Sequence, residues 1–213
     1  LAEKKIYAEI QSILFHPVTG ELLFTHRRLS GIHALPISIG LDNDEPEILL
    51  GEKRFIFIPG DPLAGDYGRK IMLAPDGNQI ALIWRGPASL RFLEPDETLS
   101  SGYRMTTEIP MGKSPAELVF APFGPRGDHR AFISCHRNDQ VYVADPEAGI
   151  VTDVIKVGKG PFGLTVIDRP DLNRQIVISA NFEDDTLSII EGDWNSPFHL
   201  NTIAHVHNGE PSP

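Results

Sequence analysis

Two stretches of the chain share one pattern, "MGKSPAELVF" at residues 111–120 and "VGKGPFGLTVI" at residues 157–167. In each, a Gly-Lys pair and a small residue precede a proline, and an apolar run follows. The glycines that open the pattern, Gly112 and Gly158, lie 46 residues apart. A period of this length is typical of proteins built from stacked repeats, so the pattern predicts a repeat architecture.

Each repeat contains short apolar or alternating runs that are typical of β-strands. In "QVYVAD", Val141 and Val143 fall on one face, while the residues between them fall on the other. The runs "IVISA" and "TLSIIE" are short and rich in β-branched residues. The segments "HRND" and "FEDD" supply the polar residues that hairpin turns need. No segment of ten or more residues has a clear helical period, so the chain is predicted to be all-β.

The first half of the chain is a more diverged version of the same unit. Asp76-Gly77 and Thr19-Gly20 are hairpin signals, and "ALPISIG" and "EKRFIFIP" are predicted as two more strands. Four antiparallel strands in about 45 residues is the period of a β-propeller blade. The chain is therefore predicted to be one β-propeller domain or a fragment of one, with blades near 11–58, 69–111, 112–157 and 158–206 and a stub at 207–213.

The segment "AFISCHRNDQVYVADPEAGIVTDVIKVGKGPFGLTV" resembles the YVTN-type repeat. In that family a strand and an Asn-rich turn lead to a "V-x-V-x-D" strand, and a later strand ends in Val before a "G-x-x-P" loop. "IVISANFEDDTLSIIE", with "NGEPSP" after it, matches again but carries the longer insertion "GDWNSPFHL". The resemblance covers residues 112–213 well and the earlier residues weakly. It implies a β-propeller, WD40-like and most often seven-bladed, in a periplasmic or extracellular protein.

The number of blades bears on how the propeller closes. Four blades and a stub are too few for a seven-bladed ring of about 300 residues. We therefore expect this chain to be part of a larger propeller, or to be completed by another polypeptide, with "KKIYAEI" as the outer strand of an earlier blade. The alternative is a compact ring of four or five blades with irregular N-terminal blades.

Composition and charge restrict the class of protein. The chain has 213 residues, 41% of them hydrophobic, which is enough for a core, and a formal net charge of −10. An acidic surface repels phosphate, so no nucleic-acid partner is predicted. No apolar run approaches the ~20 residues of a membrane span, and the first residues are not a signal peptide. Cys135 is the single cysteine, interpreted as a small apolar strand residue, with a reactive thiol as the alternative.

Residues in the loops and turns of the two clear repeats are the candidates for ligand binding. Turns on one rim of a propeller can form a joint ligand surface, and two lysines at equivalent loop positions suit an anionic ligand. In the alternative interpretation, these residues only shape the hairpins and the lysines are solvated. The candidate residues are Lys113, His136, Arg137, Lys159, Asn181 and Phe182.

Metal binding is the second kind of site considered. His205 and His207 lie two apart, on one face of a strand, and could share a Zn or Cu ion if a third ligand came from elsewhere. The alternative is a solvent-facing strand end. Acidic clusters, interpreted as solvated turns or as weak surface cation sites, occur at Asp42, Asp44 and Glu45 and at Glu183, Asp184 and Asp185. No cofactor is predicted, and a metal ion stays an alternative.

No catalytic residue is assigned from the sequence, because GxSxG, P-loop, GxGxxG and HExxH motifs are absent. The leading hypothesis is a non-enzymatic propeller scaffold that binds a protein or ligand partner through its rim or axis, within an extracytoplasmic complex. The partner is a protein or the missing propeller segment. The alternative, which rests on the resemblance, is a lactonase-like hydrolase or a propeller subunit of a periplasmic redox enzyme.

Overall fold

The regular secondary structure is almost entirely β-strand. The structure, a computed structural model, describes residues 9–42, 45–61, 63, 67–124, 127–172 and 174–207. Within these ranges the only helical segments are single 3-10 turns at His136–Asn138 and Pro170–Leu172. No helix in the described ranges has the length and apolar character needed to cross a bilayer.

The strands form four antiparallel sheets that follow one another along the chain. The first contains β1 (Ile10–His16), β2 (Glu21–His26), β3 (Gly31–Asp42), β4 (Glu45–Leu50) and β5 (Arg54–Phe57). The second contains β6 (Gly68–Leu73), β7 (Ile80–Arg85), β8 (Ala88–Pro95) and β9 (Tyr103–Pro110). The third contains β10 (Pro115–Phe123), β11 (Asp128–Cys135), β12 (Gln140–Asp145) and β13 (Ile150–Lys156). The fourth contains β14 (Pro161–Arg169), β15 (Arg174–Asn181), β16 (Thr186–Glu191) and β17 (Thr202–His207).

The last three sheets are simple meanders in which neighbouring strands follow each other in sequence. The four sheets together span 10–57, 68–110, 115–156 and 161–207, where the repeat predicts units at 11–58, 69–111, 112–157 and 158–206. The all-β, blade-type prediction is therefore confirmed. The predicted stub lies outside the described residues except for His207, which ends β17.

The first sheet differs from the predicted four-stranded blade because β3 is long enough to pair with three strands. Its first half pairs with β2 and β5, and its second half pairs with β4, with Ile39 opposite Ile48. Asp42 ends β3 and Glu45 begins β4. Residues 43–44 between them lie outside the described residues, so the interpretation of this acidic cluster as a solvated turn stays a prediction. β4 ends in three consecutive apolar residues, Ile48, Leu49 and Leu50.

Contacts divide the chain into two compact units, Leu1–Pro87 with Arg91–Thr106, and Ala88–Leu90 with Thr107–Pro213. In the first unit β1 packs against β6. Trp84 is completely buried in its core, where its Nε1 donates a hydrogen bond to the carbonyl of Gly86 over 3.2 Å. The guanidinium of Arg91 lies 5.2 Å from the centre of the indole ring and donates a hydrogen bond to the carbonyl of Pro59.

In the second unit β10 packs against β14, and the third and fourth sheets share one apolar core. Phe132 and Val141 of the third sheet belong to the same cluster of buried residues as Val177 and Ile190 of the fourth. Cys135 is fully buried at the end of β11, and burial raises the pKa of its thiol to about 12. The thiol is therefore protonated and shielded at neutral pH.

A buried histidine pair lies in the first unit. His26 Nε2 and His33 Nδ1 are 2.7 Å apart, and the ring of His33 stacks on Phe24 with 5.3 Å between ring centres. Burial, followed by the charges of His26 and Lys53, lowers the pKa of His33 to about 4. The folded protein therefore keeps this imidazole neutral where the unfolded chain protonates it.

The stability of the protein should fall as the pH drops through this window. The contribution of His33 is complete above about pH 6.5 and is lost progressively toward pH 4, because the unfolded state takes up the proton first. We expect the loss to be on the order of 2–3 kcal/mol. Denaturant unfolding of wild type and His33→Asn at pH 7 and pH 4.5 measures it. Asparagine keeps a hydrogen-bonding group near the position of Nδ1 but does not titrate, so the variant should lose less stability on acidification. An equal loss in both proteins would contradict the assignment.

Candidate functional site

The loops and turns that carry the predicted ligand residues lie at one end of the third and fourth sheets. Connecting loop 111–114 leads into β10, and connecting loop 158–160 leads into β14. The Arg137 amide donates to the Lys113 carbonyl over 3.3 Å. One repeat later, the Glu183 amide donates to the Lys159 carbonyl over 3.1 Å. Each connecting loop is therefore hydrogen-bonded to the turn between the second and third strands of its own sheet. The loops 111–114 and 158–160 and the turns 136–139 and 182–185 together form one edge of the two sheets, which we call the rim.

A polar side chain from each turn also holds the loop beside it. Asn138 Oδ1 accepts a hydrogen bond from the amide of Lys113, and Asp184 Oδ2 accepts one from the amide of Lys159 over 2.8 Å. Burial raises the pKa of Asp184, but hydrogen bonds from Thr186 and from the Lys159 backbone outweigh it and hold the pKa below its usual range. Asp184 is therefore an ionised acceptor that fixes the turn.

Asp139 joins the third sheet to the fourth. Its Oδ1 accepts a hydrogen bond from the Gly160 amide over 2.9 Å, and its carbonyl accepts one from Val157 over 3.1 Å. Asp139 is in the left-handed backbone region with a φ of 57°, as is Asp185 at the equivalent place in the fourth sheet, with a φ of 50°. Aspartate tolerates this conformation, which turns its carboxylate toward the next loop.

His136 forms a second link between the same two sheets. Its Nε2 lies 3.2 Å from Glu183 Oε1, so the two groups form an ion pair when the imidazole is protonated. The imidazole also contacts Phe162 edge to face, with ring centres 6.1 Å apart, and Phe162 lies 6.5 Å from Phe182. An imidazole–carboxylate pair with two aromatic rings thus borders the rim. This combination can bind a polar ligand that also has an apolar face.

The structure brings several predicted residues around one open depression of about 630 Å³. The depression lies on the outer face of the fourth sheet. Asn181, Phe182 and His207 all line it, and His136 lies beside it through its contact with Phe162. Lys113, Arg137 and Lys159 are exposed on the rim. The residues that line the depression are Phe162, Gly163, Ala180, Asn181, Phe182, Asp185, Thr186, Leu187, Val206 and His207.

Two of the predicted ligand residues have very different surroundings. Phe182 is 74% exposed. The Asn181 side chain is buried, and its Nδ2 donates to the hydroxyls of Thr186 and Ser188 over 2.9 Å each. Ser179 Oγ donates to Asn181 Oδ1 over 3.2 Å. The amide is therefore held within the sheet as a brace for the turn, and Phe182 presents the larger accessible surface.

The two histidines predicted to bind metal are both exposed on β17. His205 Nδ1 lies 3.1 Å from the hydroxyl of Ser188. Across the residues that the structure describes, no group of three or more His, Cys, Asp or Glu side chains could hold an ion. Metal binding by His205 and His207 therefore stays a prediction that needs a third ligand.

Phe162 and the role of Asp139 were not predicted from the sequence. Phe162 follows the proline of the "GKGP" pattern, where the earlier repeat has Ala116, so the substitution between repeats was the available signal. The signal for Asp139 was its recurrence as Asp185 in an equivalent turn. Both residues act across the boundary between repeats, where a strand pattern says nothing about side-chain contacts.

Solved structures of propeller proteins resemble the chain. It superposes on the periplasmic gluconolactonase of Pseudomonas aeruginosa with a TM-score of 0.66 and 16% identity, over 96% of this chain and 55% of that one. It superposes on Kuenenia stuttgartiensis hydrazine synthase with a TM-score of 0.62 and 12% identity, over 97% of this chain and 51% of that one. It superposes on a dihydro-heme d1 dehydrogenase with a TM-score of 0.61 and 15% identity, over 96% of this chain and 38% of that one.

These likenesses establish the β-propeller fold. Because the sequence identities are so low, they establish nothing about activity. The chain spans about half the length, or less, of the three solved structures. No protein-family model and no curated protein matches it.

The joint between the sheets can be tested at Gly160. A Cβ at Gly160 would lie 2.6 Å from Glu183 Cγ and 2.9 Å from His136 Cε1, on a backbone with a φ of 63°. Gly160→Ala should therefore lower the free energy of unfolding by about 2–4 kcal/mol, measured by denaturant titration. Gly124 is the control, because its φ is 75° and nothing lies within 4 Å of its Cβ position. Gly124→Ala should cost only the backbone strain, about 1 kcal/mol. Equal losses of unfolding free energy in the two variants would mean that Glu183 and His136 do not pack closely against Gly160, and would contradict the prediction.

Proposed function

We propose that this chain is a propeller scaffold built of YVTN-type repeats, which binds a further blade-type sheet through the outer face of its fourth sheet. The partner sheet belongs to another segment of the same protein or to a second protein of an extracytoplasmic complex. The observation that carries the proposal is the apolar outer face of β14–β17, because the matching face of β10–β13 is buried against a neighbouring sheet.

The match between the two faces follows from strand register. Val141 pairs with Ile155 in the third sheet, as Leu187 pairs with Val206 in the fourth. Val141 and Ile155 are at most 4% exposed, whereas Leu187 and Val206 are 40% and 46% exposed. Equivalent positions thus have equivalent apolar side chains but opposite solvent exposure. Contiguous apolar surface of this kind marks an interaction site.

The same register identifies what a partner sheet would contribute. In the third sheet, Ser134 Oγ donates to the carbonyl of Phe162 over 2.9 Å, and Asp139 accepts the amide of Gly160. Ala180 and Asp185 occupy the equivalent places in the fourth sheet. A partner built on the repeat would therefore place its connecting loop against Asp185 and an apolar residue over Ala180. The depression of about 630 Å³ lies where these groups would enter.

The location outside the cytoplasm, and the completion of a ring of about seven blades, follow from the YVTN resemblance as proposals. The likeness to the periplasmic gluconolactonase supports the location at the level of fold. The alternative function is a lactonase-like hydrolase or a propeller subunit of a redox enzyme. The gluconolactonase and the dihydro-heme d1 dehydrogenase support this alternative at the same coarse level.

The proposed function is tested by cross-linking from the exposed face. A photoreactive residue replaces Leu187 in the cells from which the protein comes, and mass spectrometry identifies the peptide that is joined to it. We expect a strand that alternates apolar and polar residues and lies beside a "G-x-x-P" loop. The control places the same residue at Val154, an exposed position on β13, and should not give this peptide. If position 187 captures no polypeptide, the proposal fails. Hydrolysis of glucono-δ-lactone by the purified protein would support the alternative.

A further inference from the structure

The connection between β16 and β17 is an insertion in the repeat that the proposed function does not use. Residues 192–201 stand where the third sheet has the short turn 146–149. Hydrogen bonds brace the insertion from within. The Asp193 amide donates to Glu191 Oε1 over 3.1 Å, the Asn195 amide to Asp193 Oδ1 over 2.9 Å, and the Leu200 amide to the Glu191 carbonyl over 2.8 Å. His199 Nδ1 lies 3.1 Å from the carbonyl of Asp193. The insertion is therefore preorganised.

Two large aromatic side chains point outward from this braced loop. Trp194 is 46% exposed and Phe198 is 62% exposed, while Leu200 packs against the core of the unit. The loop lies at the end of the fourth sheet opposite the connecting loops, because β15 begins at Arg174 beside it and ends at Asn181 near the rim. Exposed aromatic rings on an ordered loop are suited to binding, since little conformational entropy is lost when a ligand covers them.

Each ring borders a depression, and one arginine lines both. Trp194 borders a depression of about 210 Å³ that is also lined by Asp168, Arg174, Gln175 and Asp193. Phe198 borders an open depression of about 640 Å³ that is also lined by Arg174, Glu191, Asn201 and Thr202. Two subsites thus adjoin one another across Arg174.

The arginine is held in place by a buried carboxylate. Arg174 Nη1 lies 3.2 Å from Glu191 Oε2, and the Glu191 side chain is almost completely buried. The guanidinium side chain itself is about half exposed, so it keeps further N–H donors for a ligand. Asp168 and Asp193 add carboxylate acceptors in the smaller depression, and Gln175 adds an amide whose Nε2 donates to the Pro122 carbonyl over 3.0 Å.

We propose that residues 192–201, with Arg174 and Asp168, form a binding site for a neutral oligosaccharide. A sugar ring has one apolar C–H face, which suits Trp194 and Phe198, and a rim of hydroxyls that donate and accept hydrogen bonds. The site offers both donors and acceptors to such hydroxyls. An anionic ligand would meet Asp168 and Asp193, and a cationic ligand would meet Arg174. Neither charge is complemented throughout the site, so the neutral polyhydroxyl ligand fits best.

Calorimetry and tryptophan fluorescence test this site with trisaccharides of matched size. The neutral probes are cellotriose, maltotriose and chitotriose, the anionic probe is trigalacturonic acid, and the cationic probe is the chitosan trimer. We expect at least one neutral probe to bind and to change the emission of Trp194. Trp84 is fully buried and should not respond. Trp194→Ala should weaken binding roughly tenfold, and Trp194→Phe should restore most of it, because an aromatic face is kept.

The control variant is Phe57→Ala, which removes a 66% exposed aromatic ring from β5 of the first unit, outside both proposed sites, and should leave the affinity unchanged. The proposal is overturned if no neutral trisaccharide binds, if a charged probe binds more tightly than all the neutral ones, or if Trp194→Ala binds as wild type does. Its failure is distinct from that of the proposed function, because cross-linking at position 187 concerns the outer sheet face.

Discussion

The hydrogen bond from the Gly160 amide to the Asp139 carboxylate, 2.9 Å long, sets how the fourth sheet packs against the third. It fixes the connecting loop, which in turn fixes where β14 begins. The ion pair between His136 and Glu183 lies beside it, and the tight backbone at Gly160 leaves no room for a side chain between them. The apolar cluster that includes Phe132 and Val177 lies between the same two sheets. One polar joint and one apolar core therefore support each other.

The consequence for function is that equivalent positions face different surroundings. The third sheet is covered on the face that carries Val141, whereas the fourth leaves Leu187 open. The aromatic rim, with Phe162 and Phe182, borders this open face. The third sheet buries this apolar surface against its neighbour, and the fourth presents the equivalent surface to solvent, so the open apolar face arises from the repeat itself. The insertion at 192–201 is different, because it departs from the repeat and carries its aromatic rings at the other end of the sheet.

Much of the fold could be predicted because strand periodicity and turn chemistry are local signals. The runs "QVYVAD" and "TLSIIE", with their polar turns, are enough to predict β12 and β16. The pairing of β3 with three strands could not be predicted, because it depends on contacts between strands, such as that of Ile39 with Ile48, which a local pattern does not specify. The candidate site was predicted only in outline. His136 and Phe182 occupy equivalent positions in the repeat, so their place on one rim could be predicted. The burial of Asn181 and the contact of His136 with Glu183 could not, because they depend on packing between strands and between sheets.

The most direct test compares the unfolding free energies of Val141→Thr and Leu187→Thr, which make the same kind of change at equivalent positions. Threonine at position 141 would bury a hydroxyl in the shared core and should cost about 1–3 kcal/mol. Threonine at the half-exposed position 187 should change stability by no more than about 0.5 kcal/mol in the isolated chain. This result would support a fourth sheet that repeats the third with its outer face open. Equal losses for the two variants would mean that the outer face is already covered, and would contradict the account.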